Sequence, residues 1–271
     1  MLLDIAKLPK STYFYALSHM NYKDEKDKDI ADRIEKIFNE NKQKYGYIRI
    51  TQELKNMGYT INKKKVARIM KERHLSGINK TRQYRSYKGQ VGKIVPNILD
   101  RDFVTTKPYQ KLGTDITQFI TQYGKLYLSP IVDFHTREIL AYDISITPNF
   151  EQIRRMMKML KKNHGDKIKG AILHSDQGYQ YQIQGYRKIL KDFGIIQSMS
   201  RKGNCLDNSP TENFFGRLKT EIYYDKEYTF KSLDELRKNI EQYIEYYNNQ
   251  RIVIKIGMSP IAYRRQFEEN I

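Results

Sequence analysis

Three acidic residues, Asp115, Asp176 and Glu212, stand in sequence settings suited to phosphoryl-transfer chemistry. Ala171, Ile172 and Leu173 form a short apolar run that ends in His174, Ser175 and Asp176, and Gln177, Gly178 and Tyr179 do not continue the pattern. This predicts a carboxylate at the carboxyl end of a buried strand. Beyond it, the sequence predicts a helical segment over 186–193, a short strand over 195–197, and a loop holding Gly203, Asn204, Asn208 and Pro210. Phe214, Phe215 and Leu218 then recur at helical spacing, which sets Glu212 in a helix's first turn, where a carboxylate suits the dipole. Asp115 falls within 112–119, read as one strand, with a turn at 122–124, an antiparallel partner over 125–133 and a third strand over 138–144. If the strands of Asp115 and Asp176 are neighbours, their carboxylates converge, and Glu212 is brought in from a helix above the sheet. Asp133, near the end of the second strand, is the rival to Asp115.

Hard oxygen ligands with no matching Cys or His set suit Mg²⁺ or Mn²⁺ better than zinc. Shared between two ions about 3.5–4 Å apart, they would form the arrangement used for in-line displacement at phosphorus.

The segments GTDIT with Asp115, HSDQGYQY with Asp176, and SMSRKGNCLDNSPTENFFGRLKTE with Glu212 resemble the catalytic core of bacterial insertion-sequence transposases of the DDE class. The group they resemble encodes its transposase in two overlapping frames, and this chain is similar to the downstream product. The 35 residues 177–211 between the last two acids are a spacing similar to that of these transposases and of retroviral integrases. The resemblance implies an α/β, RNase H-like core with a mixed five-stranded sheet, preceded by a small helix-turn-helix domain. It also implies a divalent-metal triad of Asp115, Asp176 and Glu212, and cleavage and joining of DNA strands. His174, Gln177, Arg201, Asn204, Asp207 and Asn208 match residues that flank the active site in the family. YYNNQRIVIKIGMSP, with Arg251, resembles its closing block, although Val253 stands where many relatives have His. Double-stranded DNA, further copies of the chain on that DNA, and the upstream-frame product are the partners implied. The heptad zipper and extra helix-turn-helix usual in the upstream frame are absent from this sequence.

The 49 Lys and Arg against 31 Asp and Glu give a net charge of +18, which favours a polyanionic partner. Mean hydropathy is −0.75, and no run approaches 18 apolar residues or forms a signal-peptide core, so a membrane protein is not expected. Cys205 is the single cysteine, which excludes an intrachain disulfide and fits a reducing bacterial cytoplasm, at the nucleoid.

In chain order, residues 1–22 read as an amino-terminal arm and 23–76 as a small all-helical domain with apolar stripes through Ile34 and Ile37, Ile50 and Leu54, and Val66 and Ile69. Lys63, Lys64, Lys65 and Arg68 decorate its third helix, either against DNA phosphates or as a solvated face. Residues 77–110 read as a basic linker, in which Arg82, Arg85 and Lys88 add salt-sensitive DNA attraction and Pro96, Leu99 and Phe103 dock on the next domain. The catalytic domain spans 111–258, with Arg217 and Lys219 after Glu212 facing substrate phosphates, and 259–271 form a tail. Two rivals stand beside a transposase: a nuclease of the same fold that cuts without joining, and a non-catalytic DNA-binding regulator.

Overall fold

A computed structural model describes residues 9–18, 22–78, 94–201 and 208–269, in two compact units divided after Ile78. Arg82, Arg85, Lys88, Asn204 and Asp207 lie outside the described residues.

The first unit contains helices α1 (Lys10–Ser18), α2 (Tyr22–Glu40), α3 (Tyr47–Asn56) and α4 (Lys63–Glu72). The expected stripes form its core: Ile34, Ile37, Ile50, Leu54, Val66 and Ile69 are all buried. Gly46 opens α3 in an extended conformation, and Asn62 caps α4 by accepting the Lys64 N–H at 2.9 Å. The basic face of α4 is divided. Lys63 and Lys64 are exposed, whereas Lys65 reaches the Asp27 carboxylate of α2 at 2.6 Å and Arg68 pairs with both Asp27 and Glu72. Of the four cations expected either against DNA phosphates or on a solvated face, Lys65 and Arg68 thus also tie α4 to α2.

The second unit is built on a mixed sheet of β1 (Lys111–Thr114), β2 (Thr117–Thr121), β3 (Gly124–Asp133), β4 (Ile139–Ser145), β5 (Ile172–Ser175) and β6 (Ile196–Met199). β3 pairs antiparallel with β4 on one side and with β1 and β2 on the other, and β1, β5 and β6 run parallel. The expected single strand over 112–119 is interrupted at Asp115 and Ile116. Both halves keep one register against β3 (Leu112↔Asp133, Thr114↔Ile131, Thr117↔Leu128), so the break adds no residue. That register sets Asp115 opposite Pro130, which offers no N–H, and the Asp115 carboxylate itself accepts the Ile116 N–H at 2.7 Å. The six segments are thus the expected five strands with the first one broken at an acid.

Helices α5 (Phe150–His164), α6 (Tyr179–Gln182) and α7 (Gln184–Phe193) lie in chain order before β6. α5 and α7 cover one sheet face, where Met156, Met157, Leu160 and Tyr186 pack on Leu112, Ile131 and Leu173. On the other face α8 (Ser209–Ile222) and α9 (Leu233–Asn249) bury Phe214, Phe215, Leu218, Leu236 and Ile240 against Phe119, Leu128 and Val132. Residues before and after the expected catalytic boundaries belong to the same unit. Leu99 is buried, Phe103 stacks edge-on against Phe134 at 5.6 Å, and the Ile98 N–H reaches Ser198 Oγ at 2.9 Å. The tail forms α10 (Pro260–Glu269), held by Arg264 on the buried Glu138 at 2.7 Å. No described helix is long and apolar enough to cross a membrane.

Candidate active site

Parallel pairing places the first two acids. β1 and β5 are matched as Leu112↔Leu173 and Gly113↔His174, and carrying that register two residues further sets Asp115 beside Asp176. Adjacent strands lie about 4.8 Å apart, so the two carboxylates leave the sheet from neighbouring backbones. Alternation along a strand sends Gly113, Asp115, His174 and Asp176 to one face. Asp115 is buried, and Asp176 is half-buried with its Oδ1 accepting the Gly178 N–H at 2.9 Å. Burial raises the Asp176 carboxyl above its ordinary value, partly offset by that N–H. The fully buried Tyr181 hydroxyl is pushed up by burial and then by the charges of both Asp115 and Asp176, so the two acids act on one point.

Two contacts bring α8 to this end of the sheet. Asn208, at its N-cap, donates from Nδ2 to the Thr114 carbonyl at 3.1 Å, one residue before Asp115. Gly113 supplies the space: a Cβ there would lie 2.4 Å from the Phe134 ring and 2.5 Å from Thr211 Oγ1. Only a residue without a side chain lets the first turn of α8, with Glu212 next to Thr211, sit down on β1. Glu212 is in that first turn and half-buried.

Lys219 lies seven residues on, two turns along the same helix face. The sequence suggested a cation facing phosphates beside Arg217. Arg217 is indeed exposed, but Lys219 is buried, with its Nζ 5.2 Å from the centre of the Phe119 ring. Burial brings its ammonium down to about 8, and the Asp115 charge works against that fall. The buried cation therefore feels the Asp115 charge from within the protein.

His174 is fully buried in β5, and its Nδ1 pairs with Ser198 Oγ of β6 at 2.9 Å, so it braces the strands beneath the acids. Gln177 donates to the Ser200 carbonyl at 3.0 Å, and Arg201 is exposed beside Asp100 at 3.1 Å. Asp133 stands at the far end of β3, paired with Leu112, and its buried carboxylate accepts the N–H groups of Tyr109 and His135 at 2.8 and 2.7 Å. Burial raises it to about 6. It closes a turn and is no partner for Asp176.

The oxygen donors of Asp115 and Asp176 suit a hard divalent cation in type. Among the described residues, no group of three or more His, Cys, Asp or Glu side chains is drawn together closely enough to hold an ion. The mixed sheet with helices packed on both faces defines the class of the second unit as an RNase H-like core.

The family model for an integrase core domain matches residues 105–205 and a second of that description matches 212–267, while an HTH-like domain matches 24–83. The chain is 44% identical over 266 residues to a putative transposase for insertion element IS150 of Escherichia coli, covering 98% of this chain and 93% of that protein. It is 56% identical over 209 residues to a transposase-like protein of Haemophilus influenzae, covering 76% and 94%. It is 33% identical over 229 residues to the transposase for IS904 of Lactococcus lactis, covering 82% and 88%. The likeness to the solved HTLV-2 integrase catalytic core in complex with magnesium, at 13% identity and a TM-score of 0.44 over 58% of this chain and 97% of that one, is too loose to bear on the chemistry. The protein belongs to the insertion-sequence transposases with an integrase core, within the DDE superfamily.

Proposed function

We propose that this chain cleaves DNA at the ends of an insertion element and joins them to a target, using Asp115, Asp176 and Glu212 with Mg²⁺ or Mn²⁺. What supports the reading is the parallel register of β1 and β5, which continued two residues past Gly113 and His174 would set Asp115 beside Asp176, together with Asn208 fastening the start of the Glu212 helix to Thr114. Asp115 and Asp176 would hold the cation, with Glu212 supplying the remaining carboxylate from α8. When bound, two such ions supply activation of the attacking oxygen and stabilisation of the departing one.

The chain's own residues do the rest. Lys219 balances Asp115 and limits the acids' mutual repulsion. His174 and Ser198 keep β5 and β6 in register so that Asp176 is presented. Gly113 and Asn208 hold α8 against the sheet. Lys63, Lys64 and Arg217 are exposed cations suited to phosphate contact, and the basic stretch with Arg82, Arg85 and Lys88 adds salt-dependent attraction. Joining two element ends to one target calls for more than one active site, so the working form is an oligomer on DNA, with an upstream-frame product as a further partner.

The test is a strand-joining assay on labelled element ends with Mg²⁺, using Asp115→Asn, Asp176→Asn and Glu212→Gln. Folded variants with no joining are expected. Near-parental joining by any one of them removes that residue from the set, and cutting without joining by the parent would favour a nuclease.

A further inference from the structure

The helix that carries Glu212 is held from both sides, and one of the two holds is charged. Toward the sheet, α8 is tied at Asn208 and, just past its end, at Tyr223, whose hydroxyl meets both backbone groups of Ile120 at 2.8 and 2.7 Å. Toward α9 it presents Glu221. The Arg251 guanidinium, two residues past α9, grips that carboxylate with Nη2 on Oε1 at 2.5 Å and Nε on Oε2 at 3.0 Å. The Tyr243 hydroxyl of α9 donates to the same Oε2 at 3.1 Å. Arg251, Tyr243 and Glu221 are 2%, 2% and 4% exposed, so the charges meet out of water. Arg251 is fixed in turn by its N–H on the Tyr246 carbonyl at 2.9 Å and by the Tyr247 ring, whose centre is 5.7 Å from the guanidinium carbon.

A buried pair of this kind is a poor way to gain stability. Taking both charges out of water offsets most of their attraction, and apolar side chains of similar volume often serve a fold as well. What the pair adds is geometry. A planar fork meets a carboxylate in one orientation, whereas an apolar contact tolerates sliding and rotation. Glu221 lies nine residues after Glu212, two and a half helical turns, so the two carboxylates leave opposite sides of α8 about 14 Å apart along its axis. Over so few turns the hydrogen-bonded helix moves as one body, and whatever fixes Glu221 fixes Glu212. Between the two acids, Phe214 stacks edge-on against Tyr247 at 5.0 Å, so both ends of α8 answer to one interface with α9.

We propose that Arg251 is a positioning residue for the joining reaction: with Tyr243 it clamps Glu221, and thereby sets the axial position and rotation of α8 that bring Glu212 to Asp115 and Asp176. That role rests on the reading above of Glu212 as the third carboxylate.

The experiment uses the full chain. Glu221→Leu with Arg251→Met removes both charges together and nearly keeps the volume, so the double variant should melt at or above the parental temperature. Joining in a single turnover at saturating labelled DNA should nevertheless fall, by about 10²-fold for a 1 Å misplacement, while DNA affinity by fluorescence anisotropy stays parental. Arg251→Lys keeps the charge without the fork and should lose less rate than Arg251→Gln, which leaves Glu221 buried without its cation. Position is read directly by spin labels at Asn213→Cys and Lys125→Cys, both exposed, in a Cys205→Ser background. The parental distance distribution should broaden or shift in the double variant. Joining at the parental rate, or lost joining with an unchanged label distance, overturns the positioning role. Should the double variant fail to fold, Arg251→Lys is judged by the same two measurements. A parent that does not join sinks the joining reading alone if the labels move, and both readings if they do not.

Discussion

Gly113→Ala is the smallest change that should separate the sheet from the helix bearing Glu212. Its methyl would meet the Phe134 ring at 2.4 Å and Thr211 Oγ1 at 2.5 Å, where carbon contacts settle at about 3.5–4.0 Å, so roughly 1 Å is missing on two sides. Phe134 is itself packed against Phe103, and Thr211 belongs to the first turn of α8, so neither yields freely. Overpacking of this kind destabilises by about 1–3 kcal/mol, which for a unit of this size lowers Tm by about 2–4 °C per kcal/mol. The larger effect is expected on chemistry. A 1 Å displacement of a catalytic group can reduce rate by about 10²-fold, so strand joining should fall by roughly that factor at temperatures where the variant remains folded. Thr211→Ala removes one of the two clashing atoms, and the pair Gly113→Ala with Thr211→Ala should lose less than the sum of the singles. The assays are thermal melting and Mg²⁺-dependent joining of labelled ends. Parental joining by Gly113→Ala with an unmoved Tm would refute the idea that Gly113 seats α8.

Asp176→Asn should abolish joining yet raise Tm at neutral pH. Burial raises this carboxyl in the folded state, so the folded form binds more protons than the unfolded one above the ordinary carboxylate pKa, and stability is lost as pH rises through the folded value. The variant should also flatten that pH dependence, and a lower Tm than the parent's would contradict the assignment. Lys219 has the opposite sign: with its folded value lowered to about 8 from 10.5, the folded state sheds its proton first and stability from this group rises between those values. Joining should fall above about pH 8 as the cation opposite Asp115 is lost, and Lys219→Arg should extend activity to higher pH; an unchanged alkaline limb in the pH–rate profile would remove Lys219 from the site. On α4, Lys63→Gln with Lys64→Gln should lower the salt slope of DNA binding by up to about 0.9 per lost contact with little change in melting. Arg68→Gln should instead lower the melting temperature of the helical unit, because Asp27 loses a partner, and equal slopes for parent and the Lys63, Lys64 variant would mark that face as solvated.

The sequence makes legible what is local and periodic. Apolar runs located the strands around Asp115 and Asp176, and Phe214, Phe215 and Leu218 placed Glu212 in a first turn, as observed. What escaped depends on partners remote in the chain. The break at Asp115 answers to Pro130 on the next strand, which an alternating pattern over 112–119 does not register. Lys65 and Arg68 resemble surface cations until α2 supplies Asp27, 41 residues before Arg68. Lys219 reads as a phosphate contact because only the packed helix shows which of its neighbours covers it. A glycine two residues before an acid in a strand was the available sign of the close approach of α8, since a strand interior otherwise disfavours glycine.

The single register running through the break at Asp115 has a consequence for how activity is acquired. The antiparallel strands from Lys111 to Ser145 form a contiguous meander, whose loop closures are short, so their pairing is favoured early in folding. Asp176 arrives only when β5 finds β1 across the intervening α5, and Glu212 only when Asn208 reaches Thr114, 94 positions away in the chain. Pulse-labelled hydrogen exchange should accordingly show protection of the meander before β5 and β6. An incomplete or newly made chain then holds Asp115 in place while lacking Asp176 and Glu212, and on the function proposed above the capacity to break DNA would come last, with the final long-range contacts.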